Sequence, residues 1–244
     1  MKSALTLDFL GQMFRRLQLF VIFTLCCANA THAGQIPPEL AHALKTYRAE
    51  GAMNWAYVQT TESSKGQSLV EHYDPSKPQF SRWTLLKKNG AAPKESDLKD
   101  YRDRLSRRTN GTAPNIKDQI DPATCEIATE DAERASYRFK LLTTDKADRS
   151  AAHMNAVFTL HKPTGTIECV TLSSFEPFSP MFSVKVNEAS TTIEYSLPTS
   201  ERPTLLQKIA VRMRGSVMWF KSLDEDMTVT YSEYTYVGRK PVAP

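Results

Sequence analysis

The chain has 244 residues with 31 Lys and Arg against 27 Asp and Glu, a net charge of +4, and four cysteines. That balance is too small for a nucleic-acid footprint. The length suits one substantial domain, and 41% hydrophobic residues are enough to give it a core.

The N-terminus reads as a secretory signal peptide. Arg15 and Arg16 form a basic region, Leu17 to Cys27 is an apolar stretch broken only by Gln18 and Thr24, and small residues follow, with Ala28-Asn29-Ala30 and Thr31-His32-Ala33 as processing sites. The stretch is too short to suit a stable membrane span. Met13 offers an alternative start with a more compact basic region. Cys26 lacks the small preceding residues of a lipidation site, and Gln18 stands where a twin-arginine signal wants an apolar residue. Residues 1–33 are therefore expected to be removed on export, leaving residues 34–244 as a single periplasmic domain. Lys2, Arg15 and Arg16 against Asp8 lie in the leader, so the remainder carries +2. No later run of about 20 apolar residues offers a membrane span.

An oxidising compartment gives Cys125 and Cys169 a reason to pair, closing a loop of about 43 residues with a few kcal/mol of stabilisation. Two unconnected buried thiols are the alternative.

A helix opens the domain. Pro37 and Pro38 suit its first turn, and Leu40, Ala43, Leu44 and Tyr47 recur at helical spacing until Gly51. Residues 54–63 and 67–74, joined by Ser64-Lys65-Gly66, predict a hairpin, and 82–88 a third strand ended by Asn89-Gly90. Residues 95–108 predict a second helix with Leu98, Tyr101 and Leu105 on one face and charges elsewhere, a solvated face in the main. Residues 109–124 read as irregular. Ala135, Tyr137, Phe139 and Leu141 then alternate with polar residues, as do Ala156, Phe158 and Leu160. Pro163-Thr164-Gly165 turns the chain into 166–174, and strands follow at 182–197, 205–221 and from Met227. Gly215 signals a bulge. About ten antiparallel strands and two early helices predict an α+β domain dominated by a meandering sheet.

Catalytic patterns are sparse. The histidines have no ligand spacing such as H-E-x-x-H, and no G-x-S-x-G or phosphate-cradling glycine loop occurs. Asp224-Glu225-Asp226 lacks the alternation of a calcium loop and reads as a solvated turn, and Asn110-Gly111-Thr112 as a plain turn rather than a glycosylation site. No cofactor, metal or catalytic residue is assigned. What remains is broad apolar strand surface, a common lining for ligand clefts. The expected ligand-binding residues are Trp83, Leu85, Tyr137, Phe139, Phe158, Leu160, Val211, Met213 and Tyr231. Arg212 and Arg214 are expected to face water.

The segments W-x-Y-V-Q, V-E-H-Y-D-P, R-W-T-L-L-K-x-N-G, S-P-M-F-S-V-K-V and D-E-D-M-T-V-T-Y-S-E-Y, with a helix after the leader and a long second helix, resemble exported proteobacterial proteins similar to the outer-membrane lipoprotein carrier and receptor (LolA/LolB-like) superfamily. The resemblance implies a strongly curved, incompletely closed antiparallel β-barrel with helices covering its concave face and a cavity for acyl chains. Residues 54–73 contain no arginine, so the carrier's early-strand arginine latch has no counterpart, and neither Cys26 nor Cys27 supplies the receptor's lipid anchor. The expected function is a periplasmic binding protein or chaperone for a lipid, lipoprotein acyl chain or other hydrophobic ligand, without covalent chemistry. The other reading is a protein-interaction or envelope-stress sensor module with a self-filled cleft and an envelope protein partner. A hydrolase ranks third.

Overall fold

The computed structural model describes residues 34–49, 53–107, 115–143, 150–218 and 220–238. The leader reading, Gly51 and the Asn110 turn lie outside them.

Helix α1 (Pro38–Thr46) starts with Pro38 in its first turn, where a missing N–H costs nothing, and buries Leu40, Ala43 and Leu44. The chain then enters a run of strands: β1 (Trp55–Ser63), β2 (Ser68–Tyr73) and β3 (Trp83–Lys88). Gly66 (φ 77°) and Gly90 (φ 79°) take the left-handed conformation that the turns after β1 and β3 require. Helix α2 (Glu95–Arg107) follows, with Glu95 and Asp97 in its first turn, where the helix dipole favours acids. The stretch expected to be irregular carries two 3₁₀ turns, Ile116–Asp118 and Pro122–Thr124, capped by the Asn115 and Asp121 side chains.

The remaining strands are β4 (Glu126–Glu130), β5 (Arg134–Lys140), β6 (Met154–His161), β7 (Thr166–Ser174), β8 (Phe178–Met181), β9 (Val184–Ser196), β10 (Leu205–Val217), β11 (Lys221–Ser222) and β12 (Glu225–Tyr236). They form one antiparallel sheet in the order β3-β2-β1-β12-β10-β9-β7-β6-β5-β4, with β8 paired to β9 and β11 to β10. Gly215 sits at a register shift between β10 and β9, where a Cβ would collide with the Lys185 carbonyl.

This architecture corrects the expected fold class. The described chain is mostly antiparallel sheet, one open sheet of twelve strands, and not an α+β barrel whose helices cover a concave face. Two reasons are physical. The short strands β4, β8 and β11 carry too few residues for an alternation signal, so more of the chain is sheet than its periodicity shows. The helices are also short: nine residues span about 14 Å and thirteen about 20 Å. Ten laddered strands at about 4.8 Å spacing make a surface about 43 Å wide. No helix among the described residues is long and apolar enough to cross a membrane.

The main core lies where α1 meets the β5, β6 and β7 end of the sheet. Leu40, Ala43, Leu44 and Tyr47 pack with Tyr137, Phe139, Ala156, Phe158, Leu160, Ile167 and Val170, and Tyr195 and Leu206 extend the cluster into β9 and β10.

Candidate functional site

Directly paired residues in adjacent strands share a face, so the register identifies a single face running across the sheet. From β3 to β5 it carries Trp83 and Leu85, Tyr73, Glu71 and Leu69, Tyr57, Gln59 and Thr61, then Tyr231, Val229 and Met227. It continues through Ile209, Val211 and Met213, Ile193 and Thr191, Val170 and Leu172, Phe158 and Ala156, and ends on Tyr137 and Phe139. All nine residues expected to bind ligand stand on this face. They do not share one environment.

At the β5–β6 end the face is sealed. Tyr137, Phe139, Phe158 and Leu160 are buried. Phe158 meets Tyr47 and Phe139 edge-on at 5.9 and 5.8 Å, and the Tyr47 and Tyr195 hydroxyls lie 2.8 Å apart, with Tyr195 also donating to the Ala49 carbonyl. The Tyr137 hydroxyl donates to Glu39 at 3.3 Å. Burial, with Glu39 nearby, pushes the Tyr137 phenol up to about 12. These four residues are core side chains that the protein's own helix covers.

At the β1–β3 end stands an aromatic cluster built around a buried acid. Tyr57, Tyr73 and Trp83 have ring centres 4.9 to 6.1 Å apart, and Tyr57 also meets Tyr231 and Tyr234 at 5.4 and 5.5 Å. Glu71 is only 3% exposed. It accepts hydrogen bonds from the Tyr101 hydroxyl of α2 at 2.8 Å and from the Gln59 amide at 3.3 Å. Leu85, also buried, is its register neighbour on β3. Burial raises the Tyr57 and Tyr234 phenols well above their ordinary value, and neighbouring phenols add to the effect. Burial, assisted by the Glu71 charge, pushes Tyr231 up to about 12. Alternation contained a signal for Glu71, which shares the parity of Leu69 and Tyr73 on β2. Its donor on α2, 30 residues away, had none.

Between these ends the face is neither sealed nor open. Leu69, Val211, Met213, Met227, Leu172 and Thr191 are all half-buried. A cleft of about 540 Å³ enters beside α2; Leu69 and Met227 are its apolar wall, the rest is polar and includes Lys88, Glu225, Asp100, Asp103 and Arg104, and none of the nine expected residues lines it. Of the nine expected residues, Val211 and Met213 belong to this strip and Trp83 and Tyr231 to the aromatic cluster.

On the opposite side, Arg212 is exposed, and Arg214 makes a two-pronged ion pair with Asp226 at 2.9 and 2.7 Å. Arg212 reaches the same carboxylate at 3.3 Å. The Arg214 hydrogen bonds hold Asp226 below the usual carboxylate range. Glu225 pairs with Lys65. Two of the three adjacent acids are thus engaged as ion-pair partners in and beside β12 rather than left in a solvated turn.

The expected disulfide is absent. Cys125 and Cys169 are free thiols, the first buried and the second half-buried. Cys125 belongs to the core cluster, whereas Cys169 pairs with Thr159, whose face is the opposite one. Strands β5 and β6 also lie between β4 and β7. Three strand spacings are about 14 Å, twice the reach of a disulfide. Burial raises both thiols above their usual values.

Compared with known proteins, the chain matches no family model, no curated protein and no solved structure.

Proposed function

We propose that the protein is an exported, periplasmic binding protein or chaperone for a hydrophobic ligand such as a lipid or acyl chain, acting without covalent chemistry. The observation that supports this reading is the uneven cover on one continuous face. The β5–β6 end is sealed by the protein's own side chains, while Leu69, Val211, Met213 and Met227 further along remain half-buried and apolar, and Leu69 and Met227 border a cleft of about 540 Å³. Ligand clefts commonly fall between about 300 and 1,000 Å³. Ten buried methylenes contribute about 8 kcal/mol before the costs of association, enough for reversible capture. The signal-like leader points the same way.

The test is a fluorescent fatty-acyl probe titrated into the protein. Leu69→Asp and Met227→Asp, at the apolar wall of the cleft, are expected to weaken it at least about tenfold, and Leu86→Asp, exposed on the other face of β3, to leave it unchanged. A probe that never binds the folded protein defeats this reading. The second reading, an interaction or stress-sensor module with an envelope protein partner, rests on the sealed packing of Tyr137, Phe139, Phe158 and Leu160 beneath α1.

A further inference from the structure

The far end of the β9–β10 ribbon carries exposed apolar side chains that no strand or helix covers. There β8 and β11 flank β9 and β10, so Phe182 and Ser183 after β8 stand beside Met218, which follows β10, and Phe220, which precedes β11. The Met218 amide donates to the Ser183 carbonyl at 2.7 Å, locking the turns together. At this tip Phe182 is 92% exposed, Phe220 83%, Met181 62% and Met218 57%. Met218 also takes the left-handed conformation (φ 49°), which is unfavourable for a bulky side chain.

We propose that this tip inserts end-on into the surface of an anionic lipid bilayer. The charges around it identify the occupant. Nearest the turns the ionisable side chains are Lys185 and Lys221, level with Ser216 and Val217, and exposed Asp224 stands one step further back, accepting from the Gly215 amide at 3.2 Å. Both lysines are exposed. Lys185 pairs in register with Ser216 and Lys221 with Val217, so the two point to opposite faces of the tip. Docking on either face would use one lysine and waste the other. An end-on approach brings both to the same depth, within about 3 to 7 Å of the turns, where their stems lie along apolar surface and their ammonium groups meet headgroup phosphates. The shape agrees, because the apolar groups project from two convex turns rather than line a groove. Their combined area, on the order of 500 Å², falls short of the roughly 800 Å² a side of a standard protein interface. Shallow aromatic insertion reinforced by basic residues is how interfacial segments hold anionic membranes.

The experiment is co-sedimentation of protein, purified from a soluble extract, with vesicles of phosphatidylcholine alone or of phosphatidylcholine and phosphatidylglycerol at three to one. The protein is expected to pellet with the anionic vesicles and far less with the neutral ones. The double variant Phe182→Ser/Phe220→Ser is expected to lower the partition at least about tenfold, and Lys185→Glu/Lys221→Glu to abolish the preference for anionic lipid. All four side chains are exposed, so thermal melts of these variants should match the unmodified protein. Phe80→Ser removes an equally exposed ring (86%) outside the tip and should bind as the unmodified protein does. The proposal is overturned if the unmodified protein stays in the supernatant with both vesicles, or if the Phe182/Phe220 variant pellets equally well. It is also overturned if sedimentation velocity shows a dimer that this variant dissolves, which would make the tip a contact between two copies.

Discussion

Replacing Tyr101 by Phe removes a single oxygen, and that oxygen is the closer donor to the buried carboxylate of Glu71. The ring is 5% exposed and fits unchanged, so little apolar burial is lost. What disappears is a hydrogen bond to a charged group, worth about 1.5 to 3 kcal/mol, and the Gln59 amide at 3.3 Å is a weaker substitute. Tyr101→Phe is therefore expected to destabilise the protein by about 2 kcal/mol, lowering the melting temperature by about 4 to 8 °C for a chain of this size. Replacing both partners by apolar groups removes the unsatisfied charge as well as its donor. Tyr101→Phe/Glu71→Met should therefore recover much of the loss, a non-additive result readable in a double-mutant cycle by urea denaturation. Local hydrogen exchange should rise in α2, the element that this bond ties to the sheet. A Tyr101→Phe variant within about 0.5 kcal/mol of the unmodified protein, with no coupling to Glu71, would refute the assignment of a buried hydrogen-bonded acid holding that helix.

Other outcomes follow from the same geometry. Phe158→Ala empties a fully buried site contacted by two aromatic rings, with an expected cost of about 3 to 5 kcal/mol in denaturant midpoint measurements; a cost below about 1 kcal/mol would mean that α1 does not seal this end. The folded-state values of the Tyr57, Tyr137, Tyr231 and Tyr234 phenols are raised, so above about pH 10 the unfolded chain loses protons that the folded one keeps. Stability should accordingly be complete below pH 10 and fall steeply between about 10 and 12, with tyrosinate absorbance appearing late and together with unfolding. The depressed Asp226 works in the opposite direction, contributing above its unfolded value near 4 and less as pH drops through its folded value, so Asp226→Asn should flatten the acid limb of the stability curve. Mass measurement of the peptides that contain them should find Cys125 and Cys169 both as free thiols, with iodoacetamide labelling half-buried Cys169 well before buried Cys125; a disulfide-linked peptide pair would restore the bridge.

Which side chains share a face was legible in the sequence, because strand alternation is a property of each short segment alone. Ala135, Tyr137 and Phe139 on β5 and Ala156, Phe158 and Leu160 on β6 alternate with polar neighbours, and their parity survives whatever the rest of the chain does. The hairpin glycines and the Gly215 bulge were equally local. Which part of that face is covered was not legible. Cover depends on where a helix of nine residues lands on a sheet about 43 Å wide, and that is set by contacts such as Tyr47 with Tyr195, 148 residues apart. The same limit explains the cysteines. Their separation along the chain looked suitable for a bridge, but strand order placed β5 and β6 between them and the pleat turned them to opposite faces. It also explains Glu71, whose parity could be read while its partner on α2 could not. Alternation is written into neighbouring residues, whereas burial, pairing and open surface arise from elements distant in sequence, and only the folded chain brings those together.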